Sequence, residues 1–377
     1  MDYRFGPEEL ELQARVRKFA NEKLAPLADE ADESDSLTPA VTKALAESGL
    51  FKYVIPKAYG GADIKVTNIC IIREEMGKVC AQADATFAMQ GLGSYAISLA
   101  GTEEQKRKYL PKVASGEYLA TFALTEPEAG SDPAALKTSA VRQGDHYILN
   151  GHKKFISQGG EADIYLVFCK TDPAAGSKGT SCFVIEEGTP GFDTSTKLRT
   201  LGPHCLGAPK FINCKVPAAN MVGKPGDGVK LALSTLDVFR TTVAAFSLAM
   251  AEAAYSEAVR YAKGRSVFGQ PLVEFQATQF KLAEMATQIE AARHLTYYSA
   301  WLKDQGERVT VPASMAKLFT TEMAQKVVDE ALQIHGGNGL LRGSKIERLY
   351  KDVRMPRIYE GASEVLKLII SRGILKD

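Results

Sequence analysis

Five short stretches of this 377-residue sequence hold residue types that could do chemistry together. In Arg357-Ile358-Tyr359-Glu360-Gly361-Ala362-Ser363 a carboxylate sits between an aromatic and a glycine in a mostly apolar neighbourhood. Burial would raise its pKa and leave it basic enough to take a carbon-bound proton. The plainer alternative is a solvated glutamate opening the last helix. Leu124-Thr125-Glu126-Pro127-Glu128-Ala129-Gly130-Ser131-Asp132 is a turn of small residues and hydroxyls. Its backbone N–H groups can come close to a phosphate or the edge of a flat ring, although the same residues also make ordinary loops. Lys154-Phe155-Ile156-Ser157-Gln158-Gly159-Gly160 carries an aromatic and a hydroxyl two residues apart, on one face of a strand. The ring would shield a flat ligand while the hydroxyl bonds its edge; otherwise this is a half-buried strand and its turn. Arg265-Ser266-Val267-Phe268-Gly269-Gln270, followed by Phe275-Gln276, offers a guanidinium fork for a phosphate and a ring to stack on a base, or simply joins two helices. Gln333-Ile334-His335-Gly336-Gly337-Asn338-Gly339 lets backbone approach a ligand. Glycine after a helix is also an ordinary cap, and His335 reads better as a packed histidine than as a base.

The elements that must position these stretches fall into three pieces. Residues 1–118 read as helices: Pro7-Glu8-Glu9 is a helix start, and Leu12, Val16, Phe19 and Leu24 recur at helical spacing. Helices are expected over 66–80 and 85–99. Residues 119–226 alternate short apolar runs (Tyr147–Leu149, Ile164–Phe168, Cys182–Ile185) with turns such as Asn150-Gly151 and Pro190-Gly191, the spacing of an all-β unit. Residues 227–377 return to helix, over 244–263, 276–303, 312–334 and 364–374, with Leu282, Met285, Ile289, Ala292 and Leu295 spaced by threes and fours. One helical core built from both ends, with a β unit inserted, is the simplest packing. Gly91-Leu92-Gly93-Ser94-Tyr95-Ala96 fits G-x-G-x-x-A, but it lies in a helical region with no preceding strand and is rejected as a dinucleotide fingerprint.

Composition removes other classes. Forty-six Lys and Arg against 45 Asp and Glu give a net charge of +1, too balanced for a nucleic-acid binder. No run of 18 apolar residues predicts a membrane span, and the N-terminus has neither signal-peptide nor transit-peptide character, so a cytoplasmic location is expected. The six cysteines form no C-x-x-C pair and the five histidines no zinc pattern, so structural thiols in a reducing compartment and no metal are expected.

Taken in order, the five stretches resemble the acyl-CoA dehydrogenase family of flavoproteins over essentially the whole chain. LTEPxAGSD, RxxFGxxLxxFQ, QIxGGxG and IYEGxS are together very specific. The resemblance implies an α+β multidomain fold: an N-terminal all-α domain (1–118), a middle β domain of orthogonal, barrel-like sheets (119–226) and a C-terminal four-helix bundle (227–377). It implies FAD, an acyl-CoA substrate and a trans-2-enoyl-CoA product. Glu360 matches the base that takes the α proton while the β hydride moves to flavin N5. Its own backbone N–H and a flavin ribityl hydroxyl would polarise the thioester carbonyl. Phe122, Leu124, Thr125 and Ser131 match flavin contacts, Ser131 also a substrate contact. Phe155, Ile156 and Ser157 match the shielding segment. Arg265, Phe268, Gln276, Gln333, Gly336 and Gly337 match FAD contacts reached from a neighbouring subunit. Asp237, Arg240 and Gly361 match substrate-side positions, and Gln90, Gly91 and Tyr95 the acyl pocket.

Several positions depart from the family pattern. Phe155 stands for a common Trp, Ser157 for Thr, and Ala362 and Glu364 for Thr and Gln at FAD contacts after the base. Phe239 occupies the position where some relatives carry the base, so Glu360 is the sole candidate. No Arg or Lys lies among Phe87, Met89, Gln90, Gly91, Leu92 and Tyr95, which argues against a dicarboxylic acyl tail. The expectation is a short-to-medium acyl group, branched and cyclic ones included, electrons leaving through electron-transfer flavoprotein, and a homotetramer built from dimers. An acyl-CoA oxidase using O₂ and a non-catalytic acyl-CoA-binding protein are the alternatives. The first is opposed by the length of the chain, the second by Glu360.

Overall fold

The computed structural model describes residues 5–376. Its helices are α1 (Pro7–Phe19), α2 (Ala25–Ala31), α3 (Pro39–Ser48), α4 (Val66–Gly77), α5 (Ala81–Leu92), α6 (Tyr95–Ala100), α7 (Glu103–Ser115), α8 (Gly228–Gly264), α9 (Gln276–Asp304), α10 (Thr310–His335), α11 (Lys345–Asp352) and α12 (Ser363–Ile374). Its strands are β1 (Ala120–Ala123), β2 (Ser139–Gln143), β3 (His146–His152), β4 (Ile156–Ser157), β5 (Ile164–Lys170), β6 (Thr180–Glu186), β7 (Phe192–Asp193), β8 (Lys197–Leu198), β9 (Leu206–Gly207), β10 (Lys210–Pro217), β11 (Met221–Val222), β12 (Ser266–Val267) and β13 (Gln270–Pro271). The chain divides into two compact units: one holds the residues up to Asp32, 66–84 and those from Asp237 onward; the other holds 33–65 and 85–236.

The first unit is helical. Pro7 occupies the first turn of α1, and the Gly6 N–H donates to the Glu9 carboxylate at 3.0 Å, so a donor left over at the helix start is satisfied. Here α1 packs on α4, α4 on α9, α9 on α10, and α10 on α11 and α12. The stripe Leu282, Met285, Ile289 and Ala292 is buried, as its spacing predicts. Helix α8 starts 16 residues before the expected Ala244. Thr235, Thr241 and Thr242 make that segment a poor helix by propensity. Full burial overrides this: Thr235 donates back to the Leu231 carbonyl at 2.9 Å and Thr241 pairs with Ser299 at 2.9 Å. By length and composition α8 could cross a membrane, but 78% of its most apolar window is buried inside the protein, as in a core helix.

The second unit is built on two sheets. The larger runs β11-β6-β5-β2-β3-β10-β7, with β1 joining β5 in parallel, and the smaller runs β4-β9-β8. Every residue of β5 is buried, and Tyr165, Val167, Phe183, Ile185, Tyr147 and Leu149 form its core with Phe192 and Phe211. The helix expected over 85–99 breaks between α5 and α6. A Cβ on Gly93 would lie 2.5 Å from the Thr121 nitrogen and 2.6 Å from the Ala120 carbonyl carbon, so this glycine lets helix and β1 backbones touch. That close approach, not nucleotide binding, explains the G-x-G-x-x-A match. The six cysteines are free and buried.

Candidate active site

In the helical unit the site grows from the loop between the turn Met355–Arg357 and α12. Glu360 has φ +53° and Gly361 φ +108°. Left-handed backbone is unfavourable for glutamate and must be held by its surroundings. Three side chains from α8 and α10 hold it. The Arg240 Nε on α8 donates to the Glu360 carbonyl at 3.1 Å, and the Lys317 Nζ on α10 donates to the Gly361 carbonyl at 2.7 Å. Glu322 on α10 accepts from the Ser363 hydroxyl at 2.5 Å and pairs with Arg357 at 2.8 Å. The Glu360 N–H has no acceptor among the described residues, and its carboxylate Oε2 is buried without a partner. Burial raises the Glu360 carboxyl above its ordinary range; Arg73, Lys317 and Arg240 pull it back, and Asp84 adds to the rise. Arg73 is itself held by a bidentate pair with Asp84, at 2.9 and 2.7 Å, and by Thr242 at 2.9 Å, all buried. A desolvated carboxylate with one free oxygen, its proton affinity raised by burial, is what proton abstraction from carbon needs.

Around this loop the other expected residues take definite places. Asp237 pairs with Arg240 at 3.4 Å and accepts from the Thr310 hydroxyl at 2.8 Å. Phe239 is buried at 1% exposure and offers no proton-accepting group. Ala362 caps α12 without a side-chain acceptor, and Glu364 is exposed in that helix's first turn, where a carboxylate meets the positive end of the dipole.

At one end of the same unit three stretches meet. Arg265 follows α8, and its carbonyl accepts from the Leu272 N–H at 2.7 Å, bringing β12, β13 and the start of α9 together. Phe268 and Gly269 both have positive φ in the tight turn between β12 and β13, and the Phe268 ring is 99% exposed. Tyr261 stacks on His335 at 4.4 Å and accepts from the Asn338 amide at 2.9 Å, tying the α10 terminus to the end of α8. His335 is thus a packed histidine, its Nδ1 bonded to the Ala331 carbonyl at 2.7 Å. Arg265, Gln276, Gln333, Gly336 and Gly337 are all exposed, and a Cβ on Gly336 or Gly337 would meet open space.

In the β unit, the turn after β1 is held by a buried lysine. Lys153, fully buried, donates to the Glu126 carboxylate at 2.7 Å, to the Leu124 carbonyl at 2.9 Å and to the Phe168 carbonyl at 2.5 Å. Glu126 also accepts from the Lys137 and Thr138 amides at 2.6 and 3.1 Å. Leu124 and Thr125 are half-buried and Ser131 is exposed. Phe122 packs on Phe168 at 4.8 Å. Phe155 has φ +58° and is 54% exposed, while Ser157 pairs with the His204 Nε2 at 3.0 Å. Burial pushes His204 down to about 4, so it is neutral at pH 7. Beside Ser157, the Gln158 side chain is 2% exposed and neither amide atom has a partner among the described residues.

One expectation needs correction. Gln90 does not present its amide to a ligand: it is fully buried, accepts from the Ala120 N–H at 2.7 Å and donates to the Tyr118 and Val113 carbonyls at 2.8 and 3.2 Å. It fastens α5 to β1. Ile156 turns its side chain into the β-unit core at 1% exposure, so it presents no side chain to a ligand. Gly91 is buried and Tyr95 half-buried. Sequence reading missed Lys317, Arg73, Asp84, Lys153 and His204. Only Lys317 left a signal, since it falls on the buried stripe Ala313, Ala316, Thr320 and Ala324 of α10.

Comparison with known proteins identifies the family. The acyl-CoA dehydrogenase N-terminal domain model matches residues 6–117, the middle domain 121–211 and the C-terminal domain 226–375. The chain belongs to the acyl-CoA dehydrogenase family. It is 41% identical over 371 residues to an acyl-CoA dehydrogenase of Bacillus subtilis, covering 98% of each chain. It is also 41% identical to a 3-(aryl)acrylate reductase of Clostridium sporogenes, covering 99% of this chain and 100% of the relative. The solved structure of butyryl-CoA dehydrogenase from Megasphaera elsdenii matches with a TM-score of 0.95 at 38% identity, covering 100% of both.

Proposed function

We propose that this chain is an FAD-dependent acyl-CoA dehydrogenase. It removes the α proton and β hydride of a short-to-medium acyl-CoA, branched and cyclic chains included, and releases the 2-enoyl-CoA. The observation that carries the reading is Glu360, a base with a buried free oxygen on a left-handed turn. Glu360 takes the α proton. As it leaves, negative charge builds on the thioester oxygen, and the unpaired Glu360 N–H is a donor for that charge. The residues present fit FAD: an unpartnered buried amide at Gln158, exposed rings at Phe155 and Phe268, and open backbone at Gly336 and Gly337. Bound FAD supplies the acceptor for the hydride. Thr125 and Ser157 would hold its edge, Phe155 would shield it, and Ser131 would meet its phosphates or the substrate. Arg265, Phe268, Gln276, Gln333, Gly336 and Gly337 would reach it from a second subunit of a dimer-built tetramer. The butyryl-CoA dehydrogenase likeness supports a short acyl chain, and electron-transfer flavoprotein takes the electrons.

A second reading is that the cell runs the site in reverse, as the relative named 3-(aryl)acrylate reductase suggests. By microscopic reversibility Glu360 would then give its proton to the α carbon. Anaerobic titration of the flavin-loaded protein with straight, branched and cyclic acyl-CoAs tests both. Bleaching of the flavin by butyryl-CoA is expected. Recolouring of the reduced protein by an arylacrylyl-CoA, with no bleaching by any saturated acyl-CoA, would favour the reverse reading. A chain that binds no flavin would overturn both.

A further inference from the structure

We propose that Lys317 is a positioning residue for the base: together with Arg240 it grips two successive carbonyls and so fixes where the Glu360 carboxylate and N–H point. This deepens the reading of Glu360 as the base and rests on it. The loop has two consecutive residues at positive φ, +53° and +108°, and no regular backbone bonding of its own at Glu360. Such a turn persists only when its neighbours over-determine it. Arg240 takes the Glu360 carbonyl from α8 and Lys317 takes the Gly361 carbonyl from α10, so each of the two successive carbonyls is held by a side chain from a different helix. Glu322 anchors both flanks, at Arg357 and at Ser363.

What distinguishes Lys317 is its environment. It is fully buried, and among the described residues no carboxylate lies within ion-pair distance, 4.0 Å, of its Nζ. Burial pushes its ammonium down to about 7, with Arg240 adding to the fall and Glu360 and Glu322 opposing it. A methionine would fill similar space without that desolvation cost, and apolar residues replacing buried charges often leave stability unchanged or improved. Packing therefore does not account for a cation here. Its bond to Gly361, next to the base, does.

The test uses the flavin-loaded enzyme and two substitutions, Lys317→Met and Lys317→Arg. For Lys317→Met the limiting rate of anaerobic flavin bleaching by butyryl-CoA should fall about 100-fold, the scale of an ångström-level misplacement. The half-saturating acyl-CoA concentration and flavin content should stay near those of the parent, and Lys317→Arg should recover most of the rate. Amide hydrogen exchange over 358–363 should quicken in Lys317→Met while that of α9 does not change. A limiting rate within about threefold of the parent would overturn the proposal, as would a rate loss matched by lost flavin and faster exchange throughout. If the parent itself is not bleached by any acyl-CoA, the reading of Glu360 as base fails. Exchange then decides the grip alone, and unchanged exchange over 358–363 in Lys317→Met refutes it.

Discussion

Replacing Glu360 by glutamine keeps the length of the side chain, the carbonyl that Arg240 grips at 3.1 Å and the turn at φ +53°. It removes the carboxylate charge and with it the capacity to accept a proton. Among the described residues of the helical unit no neighbouring carboxylate is free to substitute. Asp84 is bound bidentately by Arg73, Asp237 is held by Arg240 and Thr310, and Glu322 by Ser363 and Arg357. A positioned base contributes about 10²–10⁴-fold. With no understudy, the loss should lie at the upper end, about 10⁴-fold or about 5.5 kcal/mol of barrier. The assay is anaerobic stopped-flow bleaching with butyryl-CoA, with flavin content as the control for folding. Glu360→Gln bleaching within tenfold of the parent would refute the assignment. The parent's pH profile gives a second check. Burial holds the Glu360 carboxyl above its ordinary value, so activity should fall, as pH drops, at a midpoint above the usual glutamate range of about 4.3. The stability sign follows from the same shift. Between the unfolded value and the raised folded one, the folded state binds more protons, so ionising Glu360 costs stability as pH rises through that window. Glu360→Gln removes that cost, and its stability relative to the parent should therefore increase from acid to neutral pH.

Three further perturbations test the parts that position the site. Lys153→Met leaves Glu126 as a buried carboxylate without its cation and should destabilise the β unit by about 3–5 kcal/mol in urea denaturation; Glu126→Gln in the same chain should recover much of it, and equal losses in single and double variants would count against the ion pair as the cause. Gly93→Ala pushes a methyl into the β1 backbone at 2.5 Å and should cost at least about 1–3 kcal/mol in the same assay, an unchanged midpoint ruling out the close approach. Phe268→Ala, where the ring is 99% exposed, should change the folding free energy by less than about 0.5 kcal/mol. Its flavin affinity and oligomeric state should nevertheless weaken, and an unchanged flavin affinity would remove Phe268 from the cofactor site.

The order helix, β, helix and Glu360 as a candidate base were legible in the amino-acid sequence, the candidacy through the family motifs around it. Glu360 could be singled out because a carboxylate between Tyr359 and Gly361 is locally unusual, and the buried stripe of α9 because helical spacing is a local property. Tertiary structure decided the rest. Propensity underrates the first half of α8, since its threonines become helical only once packing satisfies their hydroxyls. Gln90 looks like a pocket residue in sequence and is a fastener in space, because its three backbone partners lie 23 to 30 residues away. Lys317 and Arg240 stand 44 and 120 residues from the carbonyls they grip. No local pattern encodes such a pairing. A sequence determines which groups exist and how each short stretch prefers to fold, whereas burial, which raises the Glu360 carboxyl and brings two distant cations to the carbonyls beside it, is a property of the whole packed chain.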